Sequence, residues 1–365
     1  MAYPDRLAAA WEAHLAPREP DAPTVVSTFA GCGGSSLGYS MAGFEERLAV
    51  EWSEKQAASF VANFPDVPLH LGDIAELSSD DALRRARVVP GELDVFDGSP
   101  PCQGFSTAGS RKFDDGRNQL FIEFLRLLRA FAPKAFVMEN VRGMVIGKMR
   151  LIFSEIIKQL KDAGYTVSAR ILIAGYYGVP QMRPRMIIVG IRNDLAALGV
   201  EASHPKPSTY PPTVREAWHG LVNTDEECKV ARFGENRIVH RLLFRMQPGE
   251  SGDQYHPNKQ LYGLHRLDPN KPSPTLLRNG GAGGACEACH PSEHRRITIA
   301  EAKRLASFPD PFVLRGSFEE RWAAIGNCVP PLFMRAIASH VRALIDEADE
   351  RAAQLETEEH HVATP

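Results

Sequence analysis

The stretch from Thr24 to Gly38 restricts what this chain can fold into more than any other. Thr24-Val-Val-Ser-Thr-Phe29 reads as a buried β-strand, and it runs into Ala30-Gly-Cys-Gly-Gly-Ser-Ser-Leu-Gly38, a glycine-rich turn that opens a helix. A strand, a tight turn and a helix start in succession form a nucleotide-binding unit of an α/β protein. Glycines let the backbone approach a ligand, and a helix N-terminus offers N–H groups with no partner inside the helix. The spacing departs from G-x-G-x-x-G, so the turn alone does not name the ligand. Residues 47–51 read as the next strand and end in Glu51, an acid about 20 residues past the turn, where it suits ribose hydroxyls. Trp52 offers a flat face for an adenine ring. Asp73, at the end of a third short strand, suits an adenine amino group. Singly these are a solvated acid or a core tryptophan; in this order along a βαβ pattern they point to an adenosine ligand.

A second stretch carries reactive chemistry. Residues 93–96 read as a short buried strand that ends in Asp97-Gly-Ser-Pro-Pro-Cys102, followed by a small and polar loop. A free cysteine is usually a buried core residue. Here Pro100 and Pro101 stiffen the turn and hold Cys102 at a strand tip, which favours a nucleophile. Residues 109–118 are rich in charge, and a loop of that length is expected to be a lid or a binding loop, with Arg111 and Arg117 available to phosphates. Residues 119–131 form an amphipathic helix. Residues 134–138 form a buried strand that delivers Glu139 to the edge where open α/β sheets bind ligands. A helix is expected over 151–163, then strands over 165–173 and 186–191. Between those strands, Arg183 and Arg185 alternate on an extended segment and so point into one cleft.

From residue 195 to 290 the βα rhythm stops, and a separate loop-rich lobe is expected. Net charge over the whole chain is −3, but residues 229–296 hold 11 Lys and Arg against 6 Asp and Glu, while residues 340–365 hold 2 against 7. A basic face hidden by an acidic end suits nucleic acid. The six cysteines suit free thiols. Cys286, Cys289 and His290 or His294 have zinc-like spacing, but no second Cys pair accompanies them, so no metal is expected. No apolar run approaches the roughly 20 residues of a membrane span. Residues 1–23 contain no apolar signal core, which points to the cytoplasm. Thr298 and Glu301 form a capping box that starts a helix, and Ile325–Pro331 is a turn before a last helix ending near residue 347. The polar tail beyond Ala352 is expected to fray.

Taken together, these motifs resemble the C5-cytosine-specific DNA methyltransferases of the bacterial single-chain type. The stretches that carry the resemblance are 29–34, Glu51-Trp52, 72–74, 98–104, 139–141, 181–185, 296–310 and 326–331, in the family's order. The resemblance implies a Rossmann-like sheet binding S-adenosyl-L-methionine, with a small target-recognition domain. The expected division is an extension at 1–23, a catalytic domain at 24–194 and 291–348, a recognition domain at 195–290, and an acidic tail at 349–365. By position, Phe29, Ala30, Gly31, Cys32, Gly33, Gly34, Glu51, Trp52, Asp73, Ile74, Pro101, Leu120, Asn327 and Val329 would line the cofactor. Cys102 would attack cytosine C6, Glu139 would serve N3, and Arg185, with Arg183 nearby, would hold O2. Gln103, Ser106, Arg111, Arg117, Thr275 and Arg278 would contact DNA. The resemblance further implies a flipped base under a lid at 103–118, and a monomer acting on double-stranded DNA. It also implies a restriction endonuclease as a functional rather than physical partner. Cys328 departs from the small residues usual in its turn. An RNA methyltransferase of the same fold is the rival reading, disfavoured by the basic lobe.

Overall fold

The computed structural model describes residues 1–101, 119–146, 149–235, 237–256, 261, 263–281 and 288–362. Its centre is a seven-stranded sheet. The strands are β1 (Thr24–Thr28), β2 (Glu45–Glu51), β3 (Leu69–Leu71), β4 (Val95–Gly98), β5 (Ala135–Val141), β6 (Tyr165–Ile173) and β8 (Pro184–Arg192), with the two-residue β7 (Gln181–Met182) outside it. Their order is β3-β2-β1-β4-β5-β8-β6. The pairs among β1 to β5 are parallel, and β8 runs antiparallel to both β5 and β6. The chain leaves β1 in one direction and returns on its other side at β4. The C-terminal ends of β1 and β4 are therefore a switch point, where open α/β sheets form a ligand crevice.

Residues alternate across the sheet, as the two-residue period of a strand demands. Val25, Val95, Ala135, Val137, Ile187 and Val189 enter one core, while Val26, Phe96, Phe136, Met138, Met186 and Ile188 enter the other. The first face is covered by α1 (Tyr3–Leu15), α2 (Gly34–Met41) and α13 (Pro331–Val362). The second is covered by α4 (Ser79–Ala86), α5 (Gln119–Phe131) and α6 (Met149–Asp162), while α3 (Glu54–Asn63) sends Phe60 to the first. Such two-sided cover explains why the strands read as nearly continuous apolar runs. No helix among the described residues is long and apolar enough to cross a membrane.

Two expectations change. Residues 195–217 were expected in the separate lobe, but Leu195, Val200, Val214 and Ala217 pack into the first core. This segment includes α7 (Asn193–Ala197) and α8 (Val214–Ala217). A distinct small core gathers Phe233, Val239, Leu242, Leu243, Met246, Leu264 and Cys289, with Tyr255 and Leu261 packed against it. Around it run α9 (Asp225–Val230), α10 (Ile238–Leu243) and the short parallel pair β9 (His265–Arg266) with β11 (Ala288–Cys289). The strand β10 (Ser273–Pro274) instead pairs with β7. Second, α13 does not stop near 347 or fray past 352 but continues to Val362. Its last turns are rich in Ala and Glu, good helix formers. Arg351 also ties them down by donating to Leu198 O at 2.8 Å.

The C-terminal helix reaches the sheet because glycine admits it. A Cβ on Gly38 of α2 would lie 2.5 Å from Met334 Cβ and 2.8 Å from both Arg335 N and Pro331 O. After α11 (Ile299–Leu305), α12 (Phe318–Asn327) begins with a capping box between Ser317 and Glu320, so the expected turn at 325 starts only after Asn327.

Candidate active site

The cofactor side grows out of β1. Phe29 takes a left-handed backbone (φ 57°), uncommon for a bulky residue, and Gly31 (φ 59°) and Gly33 (φ 96°) follow it. These reversals turn the chain sharply into α2. Gly31 N donates to Glu51 Oε2 at 2.8 Å, and Ser53 N donates to Glu51 Oε1 at 2.8 Å, so the last residue of β2 grips the turn. Burial pushes the Glu51 carboxyl up from its ordinary value, against the backbone donors of Ser53, Gly31 and Trp52. Asp73 caps a short 3₁₀ turn, with Oδ1 accepting from Ala75 N at 2.9 Å.

Around these groups lies a cavity of about 290 Å³, lined by Phe29, Val50, Glu51, Trp52, Gly72, Asp73, Ile74, Pro101 and Leu120. Seven of these were named from the sequence. Val50 and Gly72 were not, although each neighbours a residue that was. Trp52 is 78% exposed, which leaves its ring face open at the rim. Ala30, Gly31, Cys32, Gly33 and Gly34 form the turn beside the cavity rather than its wall. Gly34 lies against the other distant segment, since a Cβ there would sit 2.6 Å from Val329 O and 2.9 Å from Cys328 Cβ. Asn327 is exposed at the end of α12.

The second half of the site follows from strand direction. Parallel strands deliver their last residues to this edge, whereas antiparallel β8 delivers its first. Val141 of β5 is therefore paired in register with Arg185 of β8, and Gly98 with Met138. Arg185 Nε lies 2.7 Å from Glu139 Oε1, with both side chains about nine-tenths buried, and Arg185 Nη1 donates to Pro184 O at 2.8 Å. Next to Glu139, Asn140 Nδ2 donates to Pro100 O at 2.8 Å. That bond clamps the root of the Cys102 turn to β5. Cys102 itself, with Gln103, Ser106, Arg111 and Arg117, lies outside the described residues.

Arg183 is buried more deeply than Arg185 and feels the charges of both Arg185 and Glu139. It falls at the break between β7 and β8, is 2% exposed, and donates to Leu276 O at 3.1 Å and Gly326 O at 2.8 Å. Burial, and then the charge of Arg185, bring the Arg183 guanidinium down to about 10. It is a strut joining three segments. Thr275 belongs to the same seam, its hydroxyl donating to Met182 O at 3.1 Å, and Arg278 is exposed just beyond. Trp322 Nε1 donates to Leu277 O at 2.9 Å and completes the joint. Cys328 packs against it with its thiol pushed up to about 12 by burial, and burial raises Cys32 as well. Both are neutral thiols at physiological pH and poor nucleophiles.

Cys286 also lies outside the described residues. Cys289 is buried in the small core, His290 Nδ1 accepts from Glu293 N at 3.0 Å, and His294 stacks on Phe244.

The sheet order, with its reversed strand and its cavity at the switch point, defines a Rossmann-like methyltransferase fold. The chain belongs to the C-5 cytosine-specific DNA methylase family, whose model matches residues 24–343. It is accordingly an S-adenosylmethionine-dependent DNA cytosine methyltransferase. Among its relatives, Type II methyltransferase M1.HphI of Haemophilus parahaemolyticus is 35% identical, over 87% of this chain and 86% of that protein. Type II methyltransferase M.XorII of Xanthomonas oryzae is 30% identical, over 91% and 88%. A DNA modification methyltransferase encoded within an E. coli prophage superimposes with a TM-score of 0.72 at 26% identity, covering 89% of this chain and 99% of that one. Spodoptera frugiperda DNMT2 (TM-score 0.63, 18% identity, 88% and 99% covered) shares the fold.

Proposed function

We propose that this enzyme methylates C5 of a cytosine flipped out of a specific duplex sequence, through a transient bond between Cys102 and C6. The observation that carries the reading is the Glu139–Arg185 pair, set beside the Asn140 clamp on the Cys102 turn. C5 of cytosine is a weak nucleophile. Addition of the Cys102 thiolate to C6 moves an electron pair through the ring towards N3, and Glu139 supplies the proton that N3 then takes up. Arg185 holds Glu139 in place and donates to O2, where charge also builds. After C5 is methylated, loss of its proton to water returns the electron pair and expels Cys102 as thiolate, and N3 hands its proton back to Glu139.

S-adenosylmethionine, when bound, supplies an electrophilic methyl carbon to C5. The residues present fit it. The cavity has an acid gripped by the glycine turn, an open indole face and Asp73 at its rim, and the Gly31 Cα borders open space, with no atom within 4 Å of where a Cβ would stand. Glu51 suits the ribose hydroxyls, Trp52 the adenine face and Asp73 the adenine amino group. Because C6 is stacked inside duplex DNA, the base must leave the helix, at a cost of a few kcal/mol. A modification role paired with a restriction endonuclease is supported by the Type II relatives.

Bisulfite sequencing of DNA from cells expressing the chain tests this reading. Conversion-resistant cytosines in one recurring sequence are expected, and their absence overturns it. Cys102→Ser should abolish methylation while cofactor binding remains. Methylation at the wild-type rate in that variant would remove the covalent route.

A further inference from the structure

The small lobe exposes an aromatic side chain that its own folding does not require. In the segment 238–246, Val239, Leu242, Leu243 and Met246 all turn into the lobe's core, yet Phe244 is 61% exposed. Its ring stacks on that of His294, which is also exposed, with centroids 4.0 Å apart and planes at 15°, and His240 meets it edge-on at 5.1 Å. A buried arginine sets this pair in place. Arg266 Nη1 donates to Leu243 O at 2.6 Å and Met246 O at 2.9 Å, and its Nε donates to Pro291 O at 2.8 Å. One guanidinium thus ties together the two strands of chain that carry Phe244 and His294, so the ring pair is held before any partner arrives. Burial, with Arg266 and His240 adding to it, holds His294 below its ordinary value, so the stacked surface is uncharged near neutrality. Arg241 and Arg245 are both exposed in the same basic segment, with the Arg245 guanidinium 5.4 Å from the Tyr255 ring centroid.

A held, neutral, flat apolar surface in a basic segment matches one polyanion closely. In the grooves of duplex DNA, base edges with their thymine methyl groups lie between two rows of phosphates. A lone exposed apolar ring is ordinary on a protein surface. This one is stacked on His294, fixed by the bonds of a buried arginine and set in a basic segment, a combination suited to a nucleic-acid contact. Apolar side chains read thymine methyl groups or wedge between base steps, while arginines on phosphates add affinity without sequence information. We propose that Phe244, backed by His294, is a specificity-determining residue that contacts bases of the recognition sequence, with Arg241 and Arg245 on the flanking phosphates. This rests on the reading of the chain as a duplex-DNA methyltransferase and assigns which part of the lobe does the reading.

The test uses the full chain and three duplexes: the sequence mapped by bisulfite, the same sequence with one base pair changed, and an unrelated one. Equilibrium affinities are measured over a range of salt. For Phe244→Ala, the ratio of cognate to unrelated affinity should fall about tenfold or more, with binding to the unrelated duplex unchanged. Phe244→Tyr should restore the ratio. Arg241→Ala and Arg245→Ala should weaken cognate and unrelated binding alike, each reducing the salt slope by about one. Unchanged S-adenosylmethionine binding and melting temperature report that each variant is folded. A Phe244→Ala protein with the wild-type ratio overturns the inference, and so does one that loses unrelated binding to the same degree. A wild-type chain that methylates no duplex overturns the underlying reading instead.

Discussion

Arg185 Nε and Glu139 Oε1 lie 2.7 Å apart at the edge where β5 ends and β8 begins. The contact exists because β8 enters the sheet antiparallel, between β5 and β6. A parallel strand in the same slot would have put Arg185 at the opposite edge.

The pair leads to a prediction about charge geometry. Arg185→Lys keeps the positive charge but loses the planar donor fork, which a lysine cannot reproduce. We expect kcat to fall by about a hundredfold or more, with a smaller change in KM for DNA. Steady-state kinetics on the mapped sequence checks this, and a kcat within a few-fold of wild type would remove Arg185 from the reaction.

The clamp on the nucleophile turn acts through another residue. Asn140→Ala removes the donor to Pro100 O, a buried bond worth about 1–2 kcal/mol in stability. If the bond positions Cys102, kcat should drop while KM for S-adenosylmethionine holds, and Asn140→Asp should not rescue it because the donor is lost. A fall in melting temperature with kcat intact would leave the bond a purely structural one.

The closure of the sheet by α13 depends on Gly38. Gly38→Ala places a methyl group against the Met334 Cβ and the Arg335 and Pro331 backbone, none of which is the far end of a flexible side chain. Overpacking of this kind costs about 1–3 kcal/mol. Denaturant unfolding reads the loss, and an unchanged midpoint would contradict the close approach of the two helices.

A pH effect follows from Glu46, whose Oε1 accepts from Ser36 Oγ at 2.9 Å while Oε2 is buried. Burial raises its carboxyl from 4.5 to about 7, against the hydroxyls of Ser27 and Ser36. The folded state therefore holds a proton that the unfolded state releases between those values. The stability it contributes is complete below 4.5 and is lost as pH rises through 7, at a slope of up to about 1.4 kcal/mol per pH unit. Glu46→Gln stays neutral and should lack this slope. Urea unfolding of both proteins at pH 5 and pH 8 tests it; parallel profiles would place Glu46 in water.

Much of the site was legible in one dimension because the strands punctuate it. The parallel strands end in chemically unusual residues: the glycines after β1, Glu51 closing β2 with Trp52 after it, the prolines after β4, and Glu139 near the end of β5. The position of Arg183 was not legible. Period-two reasoning put it near Arg185, whose charge it feels, but its bonds to Leu276 O and Gly326 O join it to segments far along the chain. Helix α12 escaped notice because a glycine, an asparagine and a proline near its end read as a turn.

By itself, the sequence determined the α/β class, the order of the motifs and the residue types the chemistry needs. Apolar periodicity and turn residues act within a few positions, and those are visible in any chain. Only the tertiary structure decided that β8 runs backwards, that residues 195–217 join the main core, and that α13 continues to Val362. It also decided that Phe244 and His294 meet on the surface. Each of these depends on contacts between segments distant in sequence, where packing against a partner, and not local preference, sets the outcome.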